Sequence, residues 1–157
     1  MNNLIFSQVE VGLRLAVLEF DITSTTVIAG ALANRDYSQL HHDRGYAQEE
    51  AGHKDIFVNT QHQAAFFERY LYDWSGSMGR LGRMNFAMKY AVYAGERITI
   101  EGRVCETDID ARGCAWAKLK LTLSVAGTVS TECEVQYALP IDKNDNPWLR
   151  RGKDWRP

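Results

Sequence analysis

A change in the spacing of apolar residues most limits the folds open to this chain. Between Asn59 and Gly76 the apolar residues recur at intervals of three and four, which is typical of a helix with one buried face. They are Phe66, Phe67, Tyr70, Leu71 and Trp74. From Ile98 onward apolar residues recur at every second position, which is typical of half-buried antiparallel strands. The chain is therefore predicted to pack one long helix against an antiparallel sheet.

Four segments in the second half of the chain are predicted to form most of this sheet. They lie within residues 82–93, 98–104, 115–125 and 129–137. An earlier strand is expected within residues 9–20, followed by a short helix that is capped by Thr23 or Ser24 and ends near Asn34. This order predicts an α+β fold, in which a strand meander wraps around the central helix.

Size and composition predict one globular domain and argue against nucleic-acid binding and a membrane span. The chain has 157 residues and a formal net charge of −2, so no nucleic-acid partner is expected. We expect one domain at residues 1–139 and an irregular tail at residues 140–157. No apolar run is long enough for a membrane span, and no signal pattern opens the chain, so a cytoplasmic location is expected. Three cysteines without paired spacing predict free thiols.

A carboxylate and an imidazole, Asp36 and His41, stand five positions apart in a predicted loop between two helices. Such a pair can hold and activate a water molecule, because an imidazole has an ordinary pKa of about 6.5. The simpler alternative is a turn-bracing aspartate and a structural histidine. His42 is expected to be structural and Asp43 to cap a short helix at residues 45–51.

A metal site is a further alternative for the same loop. Its ligands would be His41, His42, Asp43 and His53. Adjacent histidines are poor ligands for one ion, and no pattern of supporting residues surrounds them. No metal is therefore predicted.

Residues 36–43, Asp-Tyr-Ser-Gln-Leu-His-His-Asp, and the Tyr46-Ala47 pair after them resemble a known signature. It is the D-x-N-P-x-H-x-D signature of the MaoC-like, or (R)-specific, enoyl-CoA hydratases. Residues 31–36, 41–44 and 54–59 are similar to one subfamily, the small MaoC-type subunit of a hydratase for steroid side-chain enoyl-CoA thioesters. This chain departs from the signature in having Ser38-Gln39 for Asn-Pro, and from most relatives in having Asn59 for Gly.

The resemblance implies a hot-dog fold and the syn addition of water to a trans-2-enoyl-CoA. It implies that Asp36 and His41 are the catalytic pair, and that Asn59 and Thr60 bind the substrate at the oxyanion position. Coenzyme A then arrives as part of the substrate, and no separate cofactor is expected. It also implies a homodimer, or a heteromer with a second MaoC-type subunit.

Coenzyme A carries phosphates, which Arg or Lys side chains usually bind. The weak candidates for this role are Arg80, Arg83 and Lys89, with Arg150 and Arg151 also available. Two other functions remain open at this point. One is an acyl-CoA thioesterase, although such hot-dog enzymes generally carry their carboxylate on the long helix, where residues 60–72 offer only Glu68. The other is a non-catalytic subunit of a heteromeric hydratase.

Overall fold

The computed structural model describes residues 3–157 and contains two α-helices and five strands. The helices are α1 (Ser24–Ala33) and α2 (Thr60–Ser75). The strands are β1 (Leu18–Asp21), β2 (Arg80–Met88), β3 (Arg97–Ile109), β4 (Ala115–Val125) and β5 (Thr128–Leu139). Shorter helical turns cover Phe6–Gln8, Gln39–His41, Tyr46–Glu50, Pro147–Leu149 and Gly152–Asp154.

The five strands form one antiparallel sheet in the order β1-β3-β4-β5-β2. Strands β3, β4 and β5 form the predicted meander, but the prediction that β2 simply begins that meander is wrong. Strand β2 pairs with β5 at the far edge, where Met84 lies opposite Val135 and Phe86 opposite Cys133. After β2 the segment 89–96 carries the chain from this edge to β3, which lies next to β1 near the opposite edge. The segment passes the start of α2, where the Val58 N–H donates to the Val92 carbonyl at 2.9 Å.

Helix α2 lies against the concave face of the sheet and forms the centre of the core. Phe67 and Leu71 on the helix and Ile100, Leu121 and Leu123 on the sheet are almost fully buried. Burying a side chain of this size contributes roughly 1.5–3 kcal/mol to folding. The α+β prediction of a sheet wrapped around one long helix is confirmed.

Gly102 allows the helix to approach the middle of β3 closely. A Cβ atom at this position would lie 2.5 Å from Leu121 Cδ2 and 3.1 Å from Tyr70 Cε1. Strand interiors disfavour glycine because it has no side chain to pack. Here the missing side chain leaves room for the Leu121 side chain and the Tyr70 ring.

The predicted ends of both helices are confirmed by their caps. Thr23 caps α1 through its side-chain oxygen, which accepts from Thr26 N at 3.0 Å, and Asn34 follows its last turn. Asn59 caps α2, which ends at Gly76 with a φ of 77°. The two helices touch where Gly30 faces the His62 ring.

Three other predictions can be compared with the described residues. The early strand, expected within residues 9–20, is shorter and later: β1 starts at Leu18, and Arg14 forms only an isolated bridge to Arg103. The short helix after Asp43 covers Tyr46–Glu50 in π-helical form, and Asp43 Oδ1 accepts from Tyr46 N at 3.0 Å. All three cysteines are free.

Residues 140–157 contain two 3-10 turns and pack against the ends of β2 and β4. The Trp155 ring lies 5.0 Å from the Trp116 ring, and the Arg80 guanidinium lies 3.7 Å from the centre of the Trp155 ring. Within residues 3–157, no helix combines the length and the apolar character that a membrane crossing requires.

Candidate active site

The end of α1 turns Asp36 toward the start of α2. Arg35 adopts a left-handed backbone with a φ of 56°, and the Asp36 N–H donates to the Ala31 carbonyl at 2.9 Å. Asp36 Oδ1 then accepts a hydrogen bond from Ser38 N at 3.2 Å, which closes the turn behind it. The local backbone therefore fixes the direction of this carboxylate.

His41 lies in the short turn Gln39–His41, and its side chain is only 9% exposed. Its Nδ1 atom lies 2.7 Å from the Phe57 carbonyl oxygen, and its ring meets the Phe57 ring edge-on. Because a carbonyl oxygen can only accept, Nδ1 must carry the hydrogen. In the neutral ring Nε2 is therefore the free base.

The free nitrogen of His41 faces the carboxylate of Asp36, and the Nε2–Oδ2 distance is 3.4 Å. When the imidazole is neutral, both atoms are acceptors, so a water molecule between them can donate a hydrogen to each. When the imidazole takes a proton, the two groups become an ion pair. The pair can thus accept a proton from water and hold the resulting cation.

The Asn59 side chain connects this pair to the helix. Its Nδ2 donates to Asp36 Oδ2 at 3.0 Å, and its Oδ1 accepts from His62 N at 2.9 Å and from Asn34 Nδ2 at 3.3 Å. This hydrogen bond from Asn59 is the main reason that the pKa of Asp36 is lowered, although partial burial acts in the opposite direction. The backbone N–H of Ser38 and the nearby histidines lower that pKa further. Asp36 is therefore ionised at neutral pH.

A pocket of about 340 Å³ opens beside the pair, between the start of α2 and the segment that follows β2. Its lining consists of Asp36, Leu40, His41, His53, Phe57, Val58, Asn59, Thr60, Gln63, Met88, Lys89, Tyr90 and Ala91. Thr60 is exposed at the start of the helix. Within residues 3–157, neither the Asn59 nor the Thr60 N–H has a protein acceptor. These free donors and the positive end of the helix dipole favour negative charge in the pocket.

The three candidate coenzyme A contacts lie in two different places. Lys89 lines the pocket, and its Nζ lies 2.7 Å from Glu132 Oε1. Arg80 instead donates to the carbonyls of Pro147 and Arg150, both at 3.0 Å. Arg83 donates to the carbonyl oxygen of Pro157 at 2.8 Å. The structure thus brings Lys89 to the catalytic candidates but not the two arginines, whose coenzyme A role stays a prediction.

The remaining polar residues of the loop have structural contacts. His42 is exposed, and its Nε2 lies 3.2 Å from the Tyr37 carbonyl oxygen. His53 Nδ1 lies 3.1 Å from the Tyr93 hydroxyl, and the His53 ring packs on Phe57. In the described part of the chain, no group of three or more His, Cys, Asp or Glu side chains is arranged to hold a metal ion.

Other polar side chains bear on the alternatives that the sequence left open. Glu68, the carboxylate considered for a thioesterase, lies on the exposed face of α2 and does not line the pocket. Gln63 does line it, and sequence reasoning missed this residue. The signal was present, since Gln63 is a polar residue at the helical spacing of the apolar stripe that includes Phe66, Phe67 and Tyr70.

Solved structures with the same architecture establish the fold. The chain matches the (R)-hydratase from A. caviae with a TM-score of 0.75 and 23% identity, over 84% of this chain and 98% of that chain. It matches the MaoC-like dehydratase from Rhodospirillum rubrum with a TM-score of 0.75 and 15% identity, over 87% and 97% of the two chains. The fold is the hot-dog fold of MaoC-like proteins, as the resemblance implied.

A curated relative decides the family. The chain is 34% identical over 94 residues to the beta subunit of 3-oxo-4,17-pregnadiene-20-carboxyl-CoA hydratase from Mycobacterium tuberculosis. This alignment covers 60% of this chain and 72% of that subunit. The chain belongs to the MaoC-like hydratase family. Among solved structures, the chain also matches a chain of the ChsH1-ChsH2 complex from Mycobacterium tuberculosis, with a TM-score of 0.74 and 27% identity over 83% of this chain and 98% of that chain. No protein-family model matches the chain.

Proposed function

We propose that this MaoC-like hydratase subunit is catalytic and adds water to the double bond of a trans-2-enoyl-CoA. The observation that carries the proposal is the pairing of a free imidazole nitrogen with an ionised carboxylate. His41 Nε2 and Asp36 Oδ2 lie 3.4 Å apart, and both line the pocket at the start of α2. A general base must first lie within hydrogen-bond reach of the water proton that it takes. The position of His41 Nε2 in the pocket meets this requirement.

In the proposed mechanism, Asp36 and His41 hold the water, and His41 Nε2 takes a proton as the water oxygen attacks the β-carbon. The electrons of the double bond move toward the thioester and create an enolate-like oxygen. The free N–H groups of Asn59 and Thr60 at the start of α2 supply donors for that charge. A proton then reaches the α-carbon from the face occupied by the same pair, so that the addition is syn.

We propose a bulky, steroid-type acyl group as the substrate and a second MaoC-type subunit as the partner. The relative from Mycobacterium tuberculosis is named for a pregnadiene carboxyl-CoA, which supports this substrate class. The pocket of about 340 Å³ is near the lower end of the range of roughly 300–1,000 Å³ for ligand sites. A large acyl group would therefore need space that a partner contributes.

The exposed rim of the pocket supports the same partnership. Met88 and Tyr90 line the pocket and are 45% and 63% exposed. They lie at the end of β2, which is an edge strand of the sheet. Unpaired sheet edges with apolar side chains are surfaces that proteins usually cover. Covering this edge would extend the pocket.

The test compares the chain alone with the chain co-purified with a candidate partner, a second MaoC-type subunit from the same genome. Each preparation is offered straight-chain and steroid side-chain enoyl-CoA thioesters, and loss of enoyl absorbance is measured together with release of free coenzyme A thiol. We expect hydration without thiol release, fastest for the steroid thioester with the partner present. Thiol release at the rate of substrate loss would instead indicate a thioesterase. An active complex that is unaffected by Asp36→Asn would indicate a non-catalytic subunit.

A further inference from the structure

Gln63 is a buried polar side chain in the wall of the pocket. It is 1% exposed and lies one helical turn after Asn59. Its pocket neighbours include the apolar side chains of Val58, Met88 and Ala91. Burying an amide among apolar groups costs free energy unless each polar end finds a partner. The contacts of its two ends therefore indicate its role.

The oxygen end of Gln63 is held by the sheet. The hydroxyl of Thr131, a fully buried residue of β5, donates to Gln63 Oε1 at 2.6 Å. The nitrogen end has no protein acceptor within residues 3–157, and it is absent from the fully enclosed polar atoms without partners. Gln63 lines the pocket, and its amide nitrogen is the polar end that Thr131 leaves free. Thr131 thus leaves a hydrogen-bond donor available to the site.

The position of Gln63 on α2 relates this donor to the candidate oxyanion site. Side chains on a helix lean toward its N-terminus, so a residue covers the turn three and four positions before it. For Gln63 these positions are Thr60 and Asn59, where the helix presents its free N–H groups. The Gln63 amide therefore lies on the side of the pocket where negative charge is already favoured.

We propose that Gln63 Nε2 donates a hydrogen bond to the thioester carbonyl oxygen of the bound enoyl-CoA, beside the N–H groups that begin α2. The assignment rests on the proposed hydratase function and adds a side-chain donor to it. As water adds, charge grows on that oxygen, and a donor aimed at it stabilises the transition state more than the ground state. Thr131 is then a positioning residue, which acts only by holding the amide in this orientation.

The test uses two changes at Gln63 and one matched control. Gln63→Met keeps the length of the side chain and removes the donor, and Gln63→Glu keeps the acceptor for Thr131 but faces the pocket with a carboxylate. The control is Gln61→Met, an exposed glutamine on the same turn of α2 that does not line the pocket. Each variant is made in the assembly that is active and is checked for an unchanged unfolding temperature.

We expect Gln63→Met to lower kcat by about 10²- to 10³-fold with little change in KM, as removal of an oxyanion donor does. Gln63→Glu should be at least as slow as Gln63→Met when it is measured at alkaline pH, where the glutamate is ionised. A carboxylate at this position repels the negative charge that develops on the thioester oxygen. If Gln63 served only to join α2 to β5, the glutamate variant would retain activity and only the methionine variant would lose it. That order, or a kcat within about twofold of wild type for Gln63→Met, would overturn the proposal.

A spectroscopic measurement tests the contact without turnover. Hydrogen bonds lower the carbonyl stretching frequency of a thioester, so a bound acyl-CoA labelled with ¹³C at the carbonyl reports the donors around it by infrared difference spectroscopy. Gln63→Met should raise the carbonyl frequency part of the way back to that of the unbound thioester, and Thr131→Val should raise it less. Gln61→Met should leave the frequency as in wild type. If wild type hydrates no enoyl-CoA, the proposed function itself fails. If wild type is active but its carbonyl shift survives Gln63→Met, only this assignment fails.

Discussion

At the scale of single residues, one amide group holds the candidate site together. Asn59 caps α2 with its oxygen and binds Asp36 with its nitrogen, so a helix cap and an ionised carboxylate depend on the same side chain. Most relatives that the resemblance points to have glycine at this position. The asparagine side chain is 4% exposed and is engaged by Asn34, Asp36 and the start of α2.

Replacing this residue by glycine should change the pH dependence of the reaction. Asn59→Gly keeps the backbone N–H but removes the main cause of the lowered pKa of Asp36, which should rise toward its ordinary value. The ionised form that the mechanism needs is lost as pH falls through that pKa, so the acidic limb of kcat/KM should move to higher pH. Asn34→Ala is the control, because it leaves the Asn59–Asp36 bond in place. An unmoved acidic limb in Asn59→Gly would show that Asp36 does not set it.

The neighbouring histidines His41 and His42 provide a second test at this scale. His41→Ala removes the ring whose free nitrogen faces Asp36, and it should lower kcat/KM by about 10²- to 10⁴-fold. His42→Ala changes an exposed ring bonded to the Tyr37 carbonyl and should leave the rate within about twofold. Steady-state kinetics on an enoyl-CoA measures both. Equal losses in the two variants would assign the effect to the loop rather than to the base.

At the scale of elements, the C-terminal tail is fixed to the sheet by stacked side chains. The Arg80 guanidinium lies over the Trp155 ring, which also packs on Trp116. Aromatic pairs contribute about 0.5–1.5 kcal/mol, and cation–π contacts contribute about 0.5–2 kcal/mol. Arg80 and Arg83, two of the arginines that the sequence offered as phosphate ligands, both contact this tail.

Trp155→Ala should therefore lower the free energy of unfolding by about 1–3 kcal/mol. It should also make the tail more sensitive to proteases, while hydration by the folded enzyme is retained. Lys153→Ala, an exposed change in the same tail, should have no effect on either property. Denaturant unfolding and limited proteolysis measure the two effects. If Trp155→Ala is as stable and as resistant as wild type, the tail does not contribute to stability.

The sequence predicted individual elements better than their arrangement. Helix ends could be located because Thr23, Asn59 and Gly76 act locally, through capping and a positive φ. The edge position of β2 could not, because strand pairing depends on contacts between residues far apart in the chain. The Asp36–His41 pair could be predicted from spacing and resemblance. The contacts of Asn59 with Asp36 and of Gln63 with Thr131 could not, since they join separate elements.

At the scale of the whole molecule, the fold depends on a sheet that curves closely around α2. Gly102→Ala would place a Cβ 2.5 Å from Leu121 Cδ2, so packing at the centre of the sheet would have to shift. We expect the free energy of unfolding to fall by about 1–3 kcal/mol, as overpacking usually costs. Denaturant unfolding measures this loss. Glu101→Ala, on the outer face of the same strand, is the control and should cost much less. If Glu101→Ala lowers the free energy of unfolding as much as Gly102→Ala does, the close approach of Leu121 and Tyr70 is not the cause of the loss.

The central claim is that Asp36 and His41 activate water for attack on the β-carbon of an enoyl-CoA. Turnover in H₂¹⁸O, followed by mass spectrometry of the intact thioester and of any free acid, tests it most directly. The account predicts one ¹⁸O at the β-hydroxyl of a product that still carries coenzyme A, and no such product from Asp36→Asn. Label in a free carboxylate, or unchanged labelling by Asp36→Asn, would contradict it.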